Sequence, residues 1–251
     1  TAFHQNMPAK AYLYGLPFDL YKRYGIRRYG FHGTSHRFVS NRAADMIGKP
    51  LTQLNLITLH LGNGCSAAAI KGGVSVDTSM GFTPAEGLLM GTRAGDIDPA
   101  ALLYVMSHEN LGEAEANSLI NKRSGLLGIS GISNDMREIE MAANDGNKRA
   151  QMALNLFTYR VRKYIGAYSV VLGSVDGIVF TGGIGENSAE VRRKTIEGLE
   201  AFNLAIDEND NDISDVSERF INRAGMTKIM VIPTNEELVI ARDTFEIVGR
   251  N

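Results

Sequence analysis

Apolar and small positions between residues 55 and 78 come in three short bursts. Leu56, Ile57, Leu59 and Leu61 form the first, Ala67, Ala68, Ala69 and Ile70 the second, and Val74 and Val76 the third; the breaks fall at Gly62-Asn63-Gly64 and Gly72-Gly73. Short β-favouring runs separated by glycine turns predict three successive strands. Two further apolar runs, at 176–181 and 228–232, predict a fourth and a fifth, the last stopped by Pro233. Over 148–172 the spacing changes to threes and fours, so that Ala153, Leu156, Phe157, Val161, Tyr164, Ile165, Tyr168 and Val171 would share one side of a long helix. Such a stripe reads as core, not as a cofactor surface.

Shorter helices are marked by their ends. Gly25 closes a run over 18–24, and Ser35 is placed to cap a helix over 36–47 that turns Phe38, Val39, Ala43 and Met46 inward. Asp98 followed by Pro99 predicts a helix over 99–108. Others are expected over 113–121, from the Ser133-Asn134-Asp135-Met136-Arg137 cap to 143, and over 188–199, with a glycine-punctuated connector at 124–131. Residues 202–226 carry Asp207, Glu208, Asp210, Asp212 and Asp215 and read as a solvated excursion. Thr234-Asn235-Glu236-Glu237 opens a last helix, 236–248. With no repeat or linker, this succession predicts one α/β domain over 1–251, a mixed five-stranded sheet with helices on both faces.

Composition narrows the partners. Of 251 residues 44% are hydrophobic and 22% charged, and a formal charge of -2 gives no reason to expect nucleic acid or an anionic membrane. No apolar run approaches the ~18 residues of a membrane span. The single cysteine, Cys65, forbids an internal disulfide, and no Cys/His cluster has metal-ligand spacing, so a cytoplasmic location is expected. Cys65 itself reads as a packed thiol.

The candidate chemistry lies in glycine turns. Gly62-Asn63-Gly64 can bring backbone N–H groups close to an anion, and a phosphate is the expected guest. His32, between Gly30 and Gly33 in a loop without apolar periodicity, reads as a site residue, whereas His36 reads as structural. Arg93, between Gly91 and Gly95, suits a carboxylate or phosphate contact. The strand before Gly182-Gly183-Ile184-Gly185-Glu186-Asn187 and the helix after it make a nucleotide-binding recipe, with neither GxGxxG nor P-loop spacing. Glu236 falls in a helix first turn, where dipole complementation and metal binding are both open.

Taken together, Arg28-Tyr29-Gly30-Phe31-His32-Gly33-Thr34-Ser35-His36, His60-Leu61-Gly62-Asn63-Gly64, Asp77-Thr78-Ser79-Met80-Gly81 with Met90-Gly91-Thr92-Arg93, Phe180-Thr181-Gly182-Gly183-Ile184-Gly185-Glu186-Asn187 and Pro233-Thr234-Asn235-Glu236-Glu237 resemble the acetate kinase family, in its order and over essentially the whole chain. That family sits in a superfamily with sugar kinases, heat-shock chaperones and actin. The resemblance therefore implies an actin-like ATPase domain, related to ribonuclease H, here the C-terminal nucleotide-binding domain of a kinase.

The same resemblance implies reversible, ATP-dependent phosphorylation of acetate to acetyl phosphate, with ATP/ADP and Mg²⁺ (or Mn²⁺), in a homodimer. His60, Leu61, Gly62, Asn63 and Gly64 would hold the phosphates. Gly183, Ile184, Gly185, Glu186 and Asn187, with Asp135, Met136 and Arg137, would hold adenosine. His32 and Arg93 would stabilise the phosphoryl group in flight, and Glu236 would ligate magnesium. A propionate or butyrate kinase is the near alternative; a non-catalytic actin-like nucleotide-binding module is the distant one, and His32, Arg93 and Glu236 together argue against it. The family's Phe-Asp-Thr-Ala-Phe-His motif is met here at Thr1-Ala2-Phe3-His4. Its catalytic aspartate, and a first actin-like domain, are expected outside these residues, so the chain reads as a fragment inactive alone.

Overall fold

The three clustered runs form an antiparallel meander of β1 (Asn55–Leu61), β2 (Cys65–Lys71) and β3 (Val74–Thr78). In the computed structural model, which describes residues 1–215, 217–235, 241, 244 and 245, β4 (Gly177–Thr181) pairs parallel with β1. Beyond it lie β5 (Arg219–Phe220) and β6 (Lys228–Val231), giving one mixed sheet in the order β3-β2-β1-β4-β6-β5. Helices α1 (Ala9–Tyr12), α2 (Phe18–Tyr24) and α3 (Gly33–Ile47) precede the meander. Between β3 and β4 come α4 (Pro99–His108), α5 (Glu113–Lys122), α6 (Gly125–Ser130), α7 (Met136–Asn144) and α8 (Lys148–Leu172). After β4 follow α9 (Gly182–Asn187), α10 (Ala189–Ile196) and α11 (Glu208–Asn211).

Strand pleating divides the interior into two layers. Ile57, Leu59, Leu61, Ala67, Ala69, Ile178, Phe180, Ile229 and Val231 pack on one face against Phe157, Val161, Ile165 and Leu172 of α8. Leu56, Ala68, Ile70, Val179 and Met230 pack on the other against Val39, Ala43 and Ala44 of α3. Covered on both faces, the central strands are apolar throughout, which is why they appear as runs in the sequence. The helical stripe drifts by one position towards its end: Leu172 is buried, while Val171, expected inside, is 48% exposed.

Several expectations are corrected. The sheet has six strands, not five, because Arg219 and Phe220 add an edge strand to β6. They belong to 202–226, whose acidic residues are solvated as expected but whose Leu204, Ala205, Ile206, Asn211 and Ile221 are buried. Helix α3 starts at Gly33 rather than His36, and Ser35 is no cap: the His32 carbonyl accepts the His36 N–H, and the Ser35 hydroxyl is engaged by His60. The connector at 124–131 contains α6, whose Leu126 and Leu127 N–H groups donate to the carbonyls of Met90 and Gly91. The turn at 182–187 is likewise helical. The expected helix over 236–248, with Glu236, lies outside the described residues apart from isolated positions.

Between α3 and the sheet sit two fully buried histidines. Burial pulls the His4 imidazole from 6.5 down to about 4, its bond to the Phe31 carbonyl acting in the opposite direction. Burial, reinforced by the neighbouring His4, His60 and His32, keeps His36 well below 6.5. In the unfolded chain both imidazoles protonate near 6.5, so below that pH the unfolded state binds more protons and the fold loses stability as pH falls towards 4. The expected loss is about 1.4 kcal/mol per pH unit for each histidine. Urea denaturation at pH 7.5 and pH 5 measures it; a midpoint as high at pH 5 as at pH 7.5 would contradict this.

Candidate active site

Parallel pairing sets His60 at the end of β1 beside Thr181 at the end of β4. The chain therefore leaves both strands at the same edge of the sheet, the side on which open α/β sheets bind ligands. Gly182, the first residue past β4, has φ +77°, and a Cβ there would lie 2.8 Å from the Leu61 carbonyl oxygen, so only glycine lets the two strand ends come so close. The 62–64 turn sits against the start of α9, where first-turn N–H groups lack partners within the helix. Neither Gly62 nor Gly64 is left-handed. What a side chain at Gly64 would meet is the Arg93 guanidinium at 3.3 Å and the His32 Nε2 at 3.5 Å.

Those contacts bring three predicted residues to one turn. His32 is itself left-handed, with φ 56°, which aims its ring from the start of α3 towards the turn. Its Nδ1 is 2.9 Å from the Ser66 hydroxyl, and its ring stacks on His60 with centroids 4.2 Å apart. The His60 Nδ1 lies 2.9 Å from the Ser35 hydroxyl. Burial, then the Arg93 charge, lowers His32 to about 4; burial, then His32, lowers His60 to about 3. Both rings are neutral at physiological pH. Arg93 is held at the Pro84 carbonyl and the Met90 sulfur, and among the described residues no carboxylate pairs with it. A half-buried guanidinium with no acidic partner among the described residues, beside two neutral imidazoles, suits an oxyanion.

Beyond the turn opens a cavity of about 620 Å³, lined by Gly62, Asn63, Asn134, Asp135, Met136, Arg137, Glu140, Gly183, Ile184, Asn187 and Ser188. Its volume falls in the range of small-molecule sites. Asp135 caps α7 through the Arg137 N–H and forms an ion pair with the Arg137 side chain at the exposed rim, which holds its carboxyl below the usual range. Asn187 donates to the Gly183 carbonyl, closing one turn of α9. Beneath that turn the buried Arg192 donates to the carbonyls of Gly185 and Glu186, each at 2.9 Å, and to Asn211.

The remaining predicted positions have other surroundings. Leu61 points into the core, and Gly185 packs on Phe180. The Glu186 carboxylate accepts from the N–H groups of Gly182 and Thr234, so it ties the end of β4 to the residues after β6. Glu236 is outside the described residues. Cys65 is buried, its thiol raised by burial to about 12 and donating to the Gly62 carbonyl, as a packed thiol should. Sequence reasoning missed Asn134, which donates to the Asn63 side chain, and Glu140, which accepts from the Ser188 hydroxyl and whose carboxyl burial raises. Nothing in their spacing signalled a ligand pocket; Asn134 was legible only as part of a helix cap.

Residues 1–242 match the acetokinase family. The acetate kinase of Halothermothrix orenii is 58% identical over 248 residues, covering 99% of this chain and 62% of its own length. The crystal structure of Porphyromonas gingivalis acetate kinase superposes with a TM-score of 0.97 at 47% identity, over 99% of this chain and 62% of that one. A propionate kinase from Francisella tularensis superposes with a TM-score of 0.91 at 45% identity, over 96% and 62%. The chain thus spans about 62% of the length of these relatives. With His32 and Arg93 at the 62–64 turn, that turn and 183–187 lining one cavity, and the family matched almost end to end, the chain belongs to the acetokinase family.

Proposed function

We propose that this chain is the nucleotide-binding part of an acetate kinase. It binds ATP or ADP in the 620 Å³ cavity and supports reversible phosphoryl transfer between ATP and acetate, forming acetyl phosphate. The observation that carries this reading is the position of Arg93 and His32 at the Gly64 turn, whose Gly62 and Asn63 line a cavity large enough for a nucleotide base. A module that only bound nucleotide would need the cavity and the turn. It would have no use for a guanidinium at the turn that, among the described residues, has no acidic partner.

Met136, Ile184 and Gly183 would enclose the base, Asp135 and Arg137 the ribose, and the 62–64 turn the phosphates. When a carboxylate attacks a γ-phosphate, charge spreads over the equatorial oxygens of a loose transition state. Arg93 offsets that charge, and the neutral imidazoles of His32 and His60 donate to it without binding the ground state through a full charge. Among the described residues no three acidic, histidine or cysteine side chains converge on a metal. Magnesium bound with a nucleotide needs only one or two carboxylates besides phosphate oxygens, so a single ligand such as Glu236 fits that chemistry. Mg²⁺, or Mn²⁺ in its place, would neutralise phosphate charge.

We place the protein in the cytoplasm as a homodimer, following the family resemblance; among the described residues no helix is long and apolar enough to cross a membrane. The likeness to a propionate kinase keeps that acid as the second candidate substrate. One methylene changes discrimination by only about 1–3 kcal/mol, so kcat/KM for acetate against propionate decides between them.

In the protein carrying this chain, Arg93→Ala should lower kcat for acetyl phosphate formation by about 10²–10³-fold, with the KM for ATP little changed. The hydroxamate assay reads this; a kcat within twofold of the unsubstituted protein would sink the assignment. For the cavity, Ile184→Trp should fill the proposed base site and weaken ADP binding at least about tenfold by calorimetry, a cost of 1.4 kcal/mol or more. Unchanged ADP affinity with the fold intact would move the nucleotide elsewhere.

A further inference from the structure

We propose that Thr58, His36 and Ser66 form a directional hydrogen-bond relay that fixes the tautomer of His32, so that its ring presents an Nε2–H to the 62–64 turn. Ser66 and His36 are then positioning residues for the phosphate contact, an inference that rests on reading that turn as a phosphate site. The chain of contacts is continuous. The Thr58 Oγ1 lies 2.7 Å from the His36 Nδ1, the His36 Nε2 2.8 Å from the Ser66 Oγ, and the Ser66 Oγ 2.9 Å from the His32 Nδ1. Thr58, His36 and Ser66 are all fully buried.

A hydroxyl has one hydrogen, and a neutral imidazole donates from one nitrogen and accepts at the other. Were both rings to donate to Ser66, its own hydrogen would have no acceptor among the described residues, so the relay runs in one of two senses. In the first, Thr58 donates to the His36 Nδ1, the His36 Nε2–H donates to Ser66, and Ser66 donates to the His32 Nδ1; the one hydrogen left to His32 is on Nε2. In the reverse sense the Thr58 hydroxyl hydrogen needs an acceptor of its own. Among the described residues the Thr58 hydroxyl has no hydrogen bond besides that to His36, so the first sense is the one in which the buried donors of Thr58, His36 and Ser66 all have acceptors.

A second, shorter chain has the same polarity. The Thr234 Oγ1 donates to the Ser35 Oγ at 2.9 Å, which leaves the Ser35 hydrogen for the His60 Nδ1 at 2.9 Å. The two stacked rings thus share one design, a hydroxyl on Nδ1 and an Nε2–H towards the turn. It is the Nε2 atoms that approach the glycines, at 3.5 Å from a Cβ built on Gly64 for His32 and 4.0 Å from one on Gly62 for His60. An Nδ1–H tautomer at either ring would turn a lone pair on the phosphate oxygens. Arg93, the chain's N-terminal ammonium, His60 and the buried His4 and His36 act on this region, and among the described residues no carboxylate pairs with these rings to fix the tautomer instead.

Long-range ¹H–¹⁵N correlation spectra of the ¹⁵N-histidine-labelled chain at pH 7.5 test this without turnover. Expected are His32 and His60 as Nε2–H tautomers with unprotonated, hydrogen-bonded Nδ1 atoms. In Ser66→Ala the His32 Nδ1 resonance should move to the position of an unbonded acceptor while His60 stays, and Ser66→Thr should restore it. In turnover, Ser66→Ala should lower kcat about 10–100-fold with the KM for ATP within about twofold. An Nδ1–H tautomer at His32 in the unsubstituted chain overturns the relay whether or not any variant folds, as does a Ser66→Ala spectrum with the His32 Nδ1 signal unmoved. Should the spectra come out as expected in a protein that forms no acyl phosphate, the relay stands and the kinase reading falls.

Discussion

The parallel register of β1 against β4 is what the site depends on. Leu56 through His60 lie beside Gly177 through Thr181, so two chain segments more than a hundred residues apart emerge at one edge, each directly into a glycine turn. A one-residue slip would send every side chain of one strand to the opposite layer, exchanging Leu59 and Phe180 of the α8 core for neighbours built to face α3. Burial on both faces forbids that slip. The spacing between the 62–64 turn and α9, and with it the cavity, is therefore fixed by core packing well away from any ligand.

From that edge outward the supports are polar and specific. Arg192 is buried under α9 and holds the carbonyls of Gly185 and Glu186, while Asn211 holds Arg192 in turn. Burial lowers its guanidinium to about 10, which still leaves it cationic at neutral pH. The loop carrying Arg93 is pinned by α6, whose first free N–H groups find the carbonyls of Met90 and Gly91. Buried groups of this kind are stabilising when they are bonded, and here every nitrogen of Arg192 and both of these α6 N–H groups have acceptors within the protein.

Charge at the site is sparse by construction. Four histidines crowd within ring-contact distance in the order His4, His36, His60, His32, and burial keeps all four uncharged. Among the described residues that leaves Arg93 as the cation at the turn itself. A cluster of imidazolium ions would repel one another and would hold a polyphosphate tightly in its ground state; in the proposed phosphoryl transfer, neutral donors with one strong cation would favour the state in which charge has moved onto the transferred group.

Elements that obey local rules are legible in the amino-acid order alone. The strand meander, the α8 stripe, and the caps at Asp98 and Asp135 follow from apolar period, glycine placement and capping chemistry, all of which act within a few residues. That order also yields His32, Arg93 and the glycine turns, because polar groups flanked by glycines without apolar period are visible in one dimension. Which distant partners those groups meet is settled by folding. Ser35 has the look of a helix cap until His60 takes its hydroxyl, and His36 that of a core histidine until Ser66 connects it to His32. Residues 202–226 look solvated until Ile206, Asn211 and Ile221 are seen packed inside, with β5 completing the sheet. Each depends on contacts across tens to nearly two hundred residues, and a hydrogen bond or a packed face at that separation leaves no periodic trace in the chain.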